Sequence, residues 1–500
     1  MREMITGEAP KHLKLSKEEL TPELLAEVRR LRAKERARRE QAEREDPRFA
    51  FVERPMLAIP AGSGGTSVDG FGSGSGSLRF TIMTYNILAQ SLIRRELFPG
   101  SAEAIRWSHR SRTLLRELAH YDADVVCLQE VDVKQLDKWW VPRMHDRGYE
   151  GRFYRGPRTK VHGVAIFWKV KLFECVDMVQ CNLDDPIATQ GVDPELREPR
   201  TRTRNAAIIL ALQFKGIIAG SQRKGIIVGT THLFWHQFGT FERVRQLYVI
   251  LEQFYLLLKR LNGGDSATDG TDQWLPLLTG DFNSQPGGPP YAAITTKPVH
   301  FTPRQQATME CSLSYTYSKR RNTEGEDHAE TSNSNSDSDS DDDDEQERLI
   351  MEQNPKDPHP LAYQGTPQQV QQTRAAQQLH NTVPLTGTSL YGAAYRYAHP
   401  ENALLSGGHQ GEPEMSHGSL HWTGLLDYVF VLGPPGTPLG NSSNTATTAL
   451  QTLEQERGVR VHALLRMPLK AEMPPHIQPH EGEYPSDHLC MMCDLEVRLR

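Results

Sequence analysis

Leu275-Pro-Leu-Leu-Thr-Gly-Asp-Phe-Asn-Ser284 is the stretch on which the reading of this chain turns. Its apolar start has the character of a buried strand; Gly280 ends the run, and Asp281 and Asn283 follow at once. A Gly-Asp after a strand is commonly no more than a turn. Here the pattern recurs. Asn86 follows Ile82-Met-Thr-Tyr85, Glu130 follows Val126-Cys-Leu-Gln129, and His232 follows Val228-Gly-Thr-Thr231. Asp427 lies inside Leu425-Leu-Asp-Tyr-Val-Phe430, and Asp487-His488 leads into a last apolar run from Leu489 to Val497. An isolated buried histidine is usually a satisfied core residue, whereas a carboxylate inside an apolar run needs a partner such as an imidazole. Taken together, these strand ends supply carboxylates for a divalent metal, amides as oxygen ligands and imidazoles for a phosphate. Metal-assisted phosphodiester hydrolysis requires that set.

The segments between the motifs read as alternating strands and helices. Leu78 to Tyr85 alternates like a strand, Arg106 to Tyr121 is amphipathic, and Val125 to Leu128 is a buried strand. Further strands are expected at 163–168, 206–211, 225–230, 275–278, 426–432 and 489–497. Gly239 to Leu261 predicts a long helix with Phe241, Val244, Leu247, Ile250, Leu251 and Phe254 on one face. The length of 500 residues allows three domains, or one large α/β unit with appendages.

Composition separates the appendages from the core. Hydrophobic residues make up 37%, low for a wholly globular chain, so part of the length is expected to lie outside the packed structure. Residues 1–56 read as a charged helical extension, with cap chemistry at Ser16-Lys-Glu-Glu and Thr21-Pro-Glu-Leu. Residues 57–77 read as a Gly/Ser-rich linker, and 78–500 as the catalytic domain. Within that domain, about 318–385 reads as a disordered acidic and Gln-rich insertion, with a second soft insertion at about 433–449. The net charge of −6 includes −11 between Asn322 and Arg348, leaving +5 elsewhere, a balance compatible with a polyanionic substrate.

Six cysteines do not make a disulfide framework, and Cys490-Met-Met-Cys493 reads as strand packing rather than a metal site. No apolar stretch approaches the roughly 20 residues of a membrane span, and no secretory signal follows Met1. The expected location is intracellular, in cytoplasm or nucleus, with no membrane partner.

With Thr84-Tyr-Asn-Ile-Leu-Ala-Gln90, Cys127-Leu-Gln-Glu-Val131, Thr230-Thr-His-Leu-Phe-Trp-His236, Gly280-Asp-Phe-Asn-Ser284, Leu426-Asp-Tyr-Val-Phe430 and Pro485-Ser-Asp-His488 in this order, the chain resembles the endonuclease/exonuclease/phosphatase superfamily. Within it, the chain is most similar to the carbon-catabolite-repressor deadenylase branch and its fungal Ngl-type RNA exonucleases. The resemblance implies a DNase I-like four-layer α/β sandwich, two mixed β-sheets flanked by helices. It implies Mg²⁺, one ion or two with Mn²⁺ as a substitute, held by Glu130 with Asn86 and Asp487. Asp281 would orient or deprotonate the attacking water, Asn283 and His232 would contact the phosphate, and His488 would stabilise the transition state with Asp427 behind it. Asn205 matches another position near the site. Tyr391 and Trp422 are candidates for stacking on bases, as are Tyr315 and Tyr317.

The implied activity is 3′-to-5′ hydrolysis of single-stranded RNA, either poly(A) tails or 3′ extensions of precursors, to nucleoside 5′-monophosphates. A phosphatase acting on a nucleotide or a terminal RNA phosphate is the alternative. A catalytically inactive RNA or protein adaptor is a third reading, opposed by the intact residue set. The chain departs from the branch at His162-Gly-Val-Ala-Ile-Phe167, where Asp-Gly-Cys-Ala-Ile-Phe is usual, and this weakens the expectation of poly(A) preference.

Overall fold

Short apolar runs become strands almost wherever the sequence shows them. In chain order these are β1 (Met56–Ala58), β2 (Ser77–Asn86), β3 (Val125–Asp132), β4 (Tyr149–Tyr154), β5 (His162–Lys169), β6 (Phe173–Asn182), β7 (Ala206–Phe214), β8 (Gly225–His232), β9 (Trp274–Asp281), β10 (Thr386–Ser389), β11 (His417–Gly418), β12 (Thr423–Gly424), β13 (Asp427–Gly433), β14 (Val459–Leu465) and β15 (Met491–Arg498). Among the elements described end to end, the helices of nine residues or more are α1 (Trp107–Tyr121), α2 (Thr240–Leu261), α3 (Pro303–Ser314), α4 (Pro367–Thr382) and α5 (Leu390–Ala398). The structure, a computed structural model, describes residues 46–499 except 64–75, 96–97, 190, 217–220, 264–272, 318–362, 404–408, 420–422, 436–447 and 474–477. It also describes Glu27, Arg30, Leu31, Lys34 and Arg38, which are helical and exposed.

Two sheets carry the molecule, one in the order β1-β14-β15-β2-β3-β5-β4 and the other β10-β13-β9-β8-β7-β6. Alternation along β2 shows how the layers arise. Ile82 faces the apolar core between the sheets, while Met83 and Tyr85 face outward and pack with Leu114 and Leu118 of α1. On the other side α2 lies so close to β8 that a Cβ on Gly229 would come within 2.5 Å of the Phe254 ring. Strands covered on both faces read as near-continuous apolar runs, as β3, β8 and β9 do. The result is the expected four-layer sandwich of helix, sheet, sheet and helix.

Strand direction then gathers the motifs. β2–β3 and β8–β9 are parallel pairs, so the C-terminal ends that carry Asn86, Glu130, His232 and Asp281 meet at one edge. β13 is antiparallel to β9, and β15 is antiparallel to β2. Their N-terminal ends, which carry Asp427 and His488, therefore arrive at the same edge. Among the described residues, no helix is long and apolar enough to cross a membrane.

The expected boundaries need correction in two places. Met56–Ala58 is no linker; it pairs antiparallel with β14, Met56 opposite Leu465. Phe49 and Phe51 are buried ahead of it, and the buried Arg54 guanidinium donates to the Cys490 carbonyl (2.8 Å) and lies 3.9 Å from Glu117. The packed domain therefore begins near residue 46. The Gln-rich part of the 318–385 segment is likewise ordered as α4, started by Pro367 and a reciprocal Thr366–Gln369 capping box. Its buried Thr373, Ala376, Leu379 and His380 keep helical spacing, which the run of glutamines conceals. The Ser/Asp run, and most of the 433–449 insertion, lie outside the described residues. All six cysteines are free, and Cys490 and Cys493 are packed in the core.

Candidate active site

Register fixes one row of the site before any side chain is considered. His232 lies opposite Asp281 on the β8–β9 pair, and Asp281 opposite Asp427 on the β9–β13 pair. His232 Nε2 is 3.6 Å from Asp281 Oδ2. From the facing sheet, His488 brings Nε2 to 3.5 Å from the same oxygen and donates through Nδ1 to Asp427 Oδ2 (2.8 Å). Ser416 completes this side: its hydroxyl donates to Asp427 Oδ2 (2.7 Å) and accepts the Leu426 and Asp427 backbone N–H groups.

Asn86 joins the two sheets. Its amide nitrogen reaches both Glu130 Oε1 (3.1 Å) and Asp281 Oδ2 (3.0 Å), and its oxygen accepts the Leu88 N–H (3.1 Å). Glu130 is turned toward it by a register break between Leu128 and Val131, where Glu130 itself adopts φ 59°. Glu130 Oε2 accepts the Ala89 N–H (2.8 Å), and Oε1 is 3.8 Å from His232 Nδ1. Asn283, at φ 46°, donates its backbone N–H to Asp281 Oδ1 (2.8 Å) and its amide to the Leu233 carbonyl (3.1 Å). The close approach of β9 to β8 requires Gly280, because a Cβ there would lie 2.1 Å from the Thr231 carbonyl oxygen. Beneath the edge, the buried Arg110 guanidinium clips Leu88 O (2.6 Å) to Pro485 O (2.7 Å), tying the turn after β2 to the Ser486–His488 segment.

Burial and charge divide the labour among these groups. Burial is the largest influence on His488 and opposes its imidazolium, yet the charges of Asp427 and Asp281 and the Asp427 hydrogen bond outweigh it and hold the ring up at about 10. Burial pushes the Asp427 carboxyl up and the His232 ring down. His162, 6.4 Å from His232 ring to ring, is driven down to about 2 by burial and the Lys160 charge. Asp487 feels burial in the opposing sense, but its contacts with His417, His488 and Arg110 hold it down at about 2. The edge thus sets Asp281 and Asp487, both held below the usual carboxylate range, against the His488 imidazolium. The Glu130 and Asp281 side chains converge on one amide, and His232 Nδ1 is buried without a hydrogen-bond partner. Oxygen donors with surplus negative charge suit a hard divalent cation.

The Endonuclease/Exonuclease/phosphatase family model matches residues 83–488, from within β2 to His488. The chain belongs to that family. It is an enzyme of the nuclease and phosphodiesterase class. It is 40% identical over 500 residues to the RNA exonuclease NGL2 of Saccharomyces cerevisiae, covering 97% of this chain and 91% of that one. The probable RNA exonuclease NGL3 of the same yeast is 37% identical over 499 residues, covering 98% and 92%. Among solved structures, ANGEL2, a 2′,3′-cyclic phosphatase, superposes with a TM-score of 0.52 at 18% identity over 89% of this chain and 98% of that chain, a likeness of fold.

Within this family member, eight of the expected residues stand together at the sheet edge: Asn86, Glu130, His232, Asp281, Asn283, Asp427, Asp487 and His488. Asn205 does not face the edge directly; it donates to the His232 carbonyl (2.8 Å) and accepts from Gln246 (3.3 Å), so it supports the strand end. Tyr391 is no stacking surface. It is fully buried, its hydroxyl donating to the Leu465 and Met492 carbonyls, because its place on α5 turns it into the core beside β14. Trp422 lies outside the described residues. Sequence reasoning missed His417, whose Nε2 is 3.7 Å from Asp487 Oδ2 and whose ring lies 4.6 Å from that of His488. The one sequence signal for it, Ser416-His417 shortly before the Asp427 run, was too short to read.

Proposed function

We propose that this enzyme hydrolyses single-stranded RNA from its 3′ end in a Mg²⁺-dependent reaction that releases nucleoside 5′-monophosphates. The observation that carries the reading is the line Asp427–His488–Asp281: a charged imidazole held at 2.8 Å by one carboxylate and presented 3.5 Å from a second. Family membership and the relatives named as RNA exonucleases support the substrate class.

Glu130 and Asn86, with Asp487 nearby, would hold Mg²⁺, for which Mn²⁺ is a chemical substitute. Bound there, the ion would offset charge developing on the phosphate oxygens and on the leaving 3′-oxygen. Asp281 is an acceptor fixed by the Asn86 amide and the Asn283 N–H, which supports a role in orienting a water and taking its proton. His488, kept cationic by Asp427, adds a donor to the phosphoryl oxygens as their charge grows. His232 offers a neutral imidazole to the phosphate, and Asn283 a second amide N–H.

The test is incubation with Mg²⁺ and three substrates: end-labelled mixed-sequence RNA, oligo(A), and a 2′-phosphorylated dinucleotide. A 3′-shortening ladder with 5′-monophosphate products is expected. Phosphate release without shortening would replace this reading with that of a phosphatase.

A further inference from the structure

The loop from β8 to α2 leaves directly from His232. Leu233 donates its N–H to the Asp281 carbonyl (2.9 Å) and accepts the Asn283 amide (3.1 Å), so the loop is fastened at once to two residues of the site. Its next carbonyls are turned inward. The fully buried Arg243 donates to the carbonyls of Phe234 (3.0 Å) and His236 (2.7 Å), and Phe234 donates its N–H to Gln246 Oε1 (3.0 Å). Side-chain alternation follows from that arrangement. Leu233, Phe234, His236 and Phe238 are buried, whereas Trp235 between them is 55% exposed. Gly239 closes the turn where a Cβ would approach the Phe234 ring to 2.6 Å, so the end of the loop packs directly on that ring. Behind it the rings form a wall: His236 lies 5.4 Å from Trp235 and 4.8 Å from Tyr315, and Tyr315 stacks on Phe238 at 4.8 Å with a 4° interplanar angle.

Among the described residues Trp235 is the most exposed of the large hydrophobic side chains, and an indole offers a broad, rigid apolar face to a planar partner. We propose that Trp235 is a stacking platform for a nucleobase of the RNA strand beside the scissile phosphate. The proposal rests on the RNA-hydrolysis reading and adds to it the contact that holds the strand. An indole face accepts any base, so the platform grips single-stranded RNA without selecting sequence. Because the loop is already fixed by Arg243 and Asn283, little ordering remains to oppose binding.

Binding is read without cleavage by anisotropy of a 5′-labelled RNA of about twelve nucleotides, within the usual single-strand site sizes, using the full-length protein in EDTA. Trp235→Ala is expected to weaken binding by about 5- to 150-fold, and Trp235→Phe far less. An abasic nucleotide walked through the 3′-terminal positions should weaken wild-type binding most at one position, and there it should leave Trp235→Ala binding unchanged. Equal affinity of wild type and Trp235→Ala, or the same abasic profile in both, overturns the proposal. Should wild type bind through Trp235 but yield no shortening with Mg²⁺, the platform stands and the exonuclease reading falls. Should wild type fail to bind RNA, the platform falls whatever the enzyme hydrolyses.

Discussion

At the scale of single residues, the chemistry depends on which groups keep a charge against burial. Asp281, Asp427 and Asp487 are all buried or nearly so, and His488 is the cation they share. Asp427 does its part at a distance: through the 2.8 Å hydrogen bond from Nδ1 it fixes the ring orientation that points Nε2 at the site. Asp427→Asn keeps the shape and removes the charge. The expected outcome is a 10- to 100-fold fall in kcat, roughly the effect of losing such a supporting carboxylate, with KM little changed. Steady-state kinetics on labelled RNA check it, and an unaltered kcat would mean that His488 does not act as a cation. Much of this site was legible because polar residues stood at the ends of apolar runs, where burial makes an unpartnered charge expensive. Tyr391 misled because an aromatic residue near a motif carries no mark of which way its helix will turn it. Ser416 and His417 left no periodic trace, since β11 is only two residues long.

At the scale of elements, the site is held in conformations that side chains resist. Among the described residues, Leu88, Glu130, Arg204 and Asn283 are four of the six non-glycine residues with positive φ, and each is, or lies within two residues of, a candidate site residue. Each such residue costs on the order of 1–3 kcal/mol and persists only where its surroundings over-determine it. Here Arg110 binds the Leu88 carbonyl, the Ala89 N–H binds Glu130, Asp184 accepts the Arg204 N–H, and the Leu233 carbonyl accepts the Asn283 amide. Another buried arginine, Arg54, supports the structure from the chain's early segment, outside the stretch that the family model matches. Removing it strands Glu117, whose carboxyl burial already pushes up. Arg54→Ala is therefore expected to lower stability by about 3–5 kcal/mol, read by urea unfolding, with Glu117→Gln in the same chain restoring part of the loss. A change below about 0.5 kcal/mol, typical of surface sites, would show the early segment to be ornamental. Sequence could not reveal this brace, because one arginine and a three-residue strand have no period to detect.

At the scale of the whole molecule, two parallel strand pairs with antiparallel neighbours deliver six motifs, spread over residues 83–488, to a single edge. The sandwich was readable from strand patterning and motif order. The extent of the packed domain was not: Met56–Ala58 is too short to show a period, and the few apolar positions of α4 are hidden among glutamines. The central claim is that this edge is a metal-dependent phosphodiesterase centre in which Glu130 is indispensable. Its most direct test is single-turnover decay of 3′-labelled RNA across a Mg²⁺ titration, comparing wild type with a Glu130→Ala variant whose thermal unfolding is unchanged. Wild-type activity should vanish in EDTA and return with Mg²⁺, while the variant stays at least about 10²-fold slower at every concentration. Normal RNA decay by the folded variant would contradict the account.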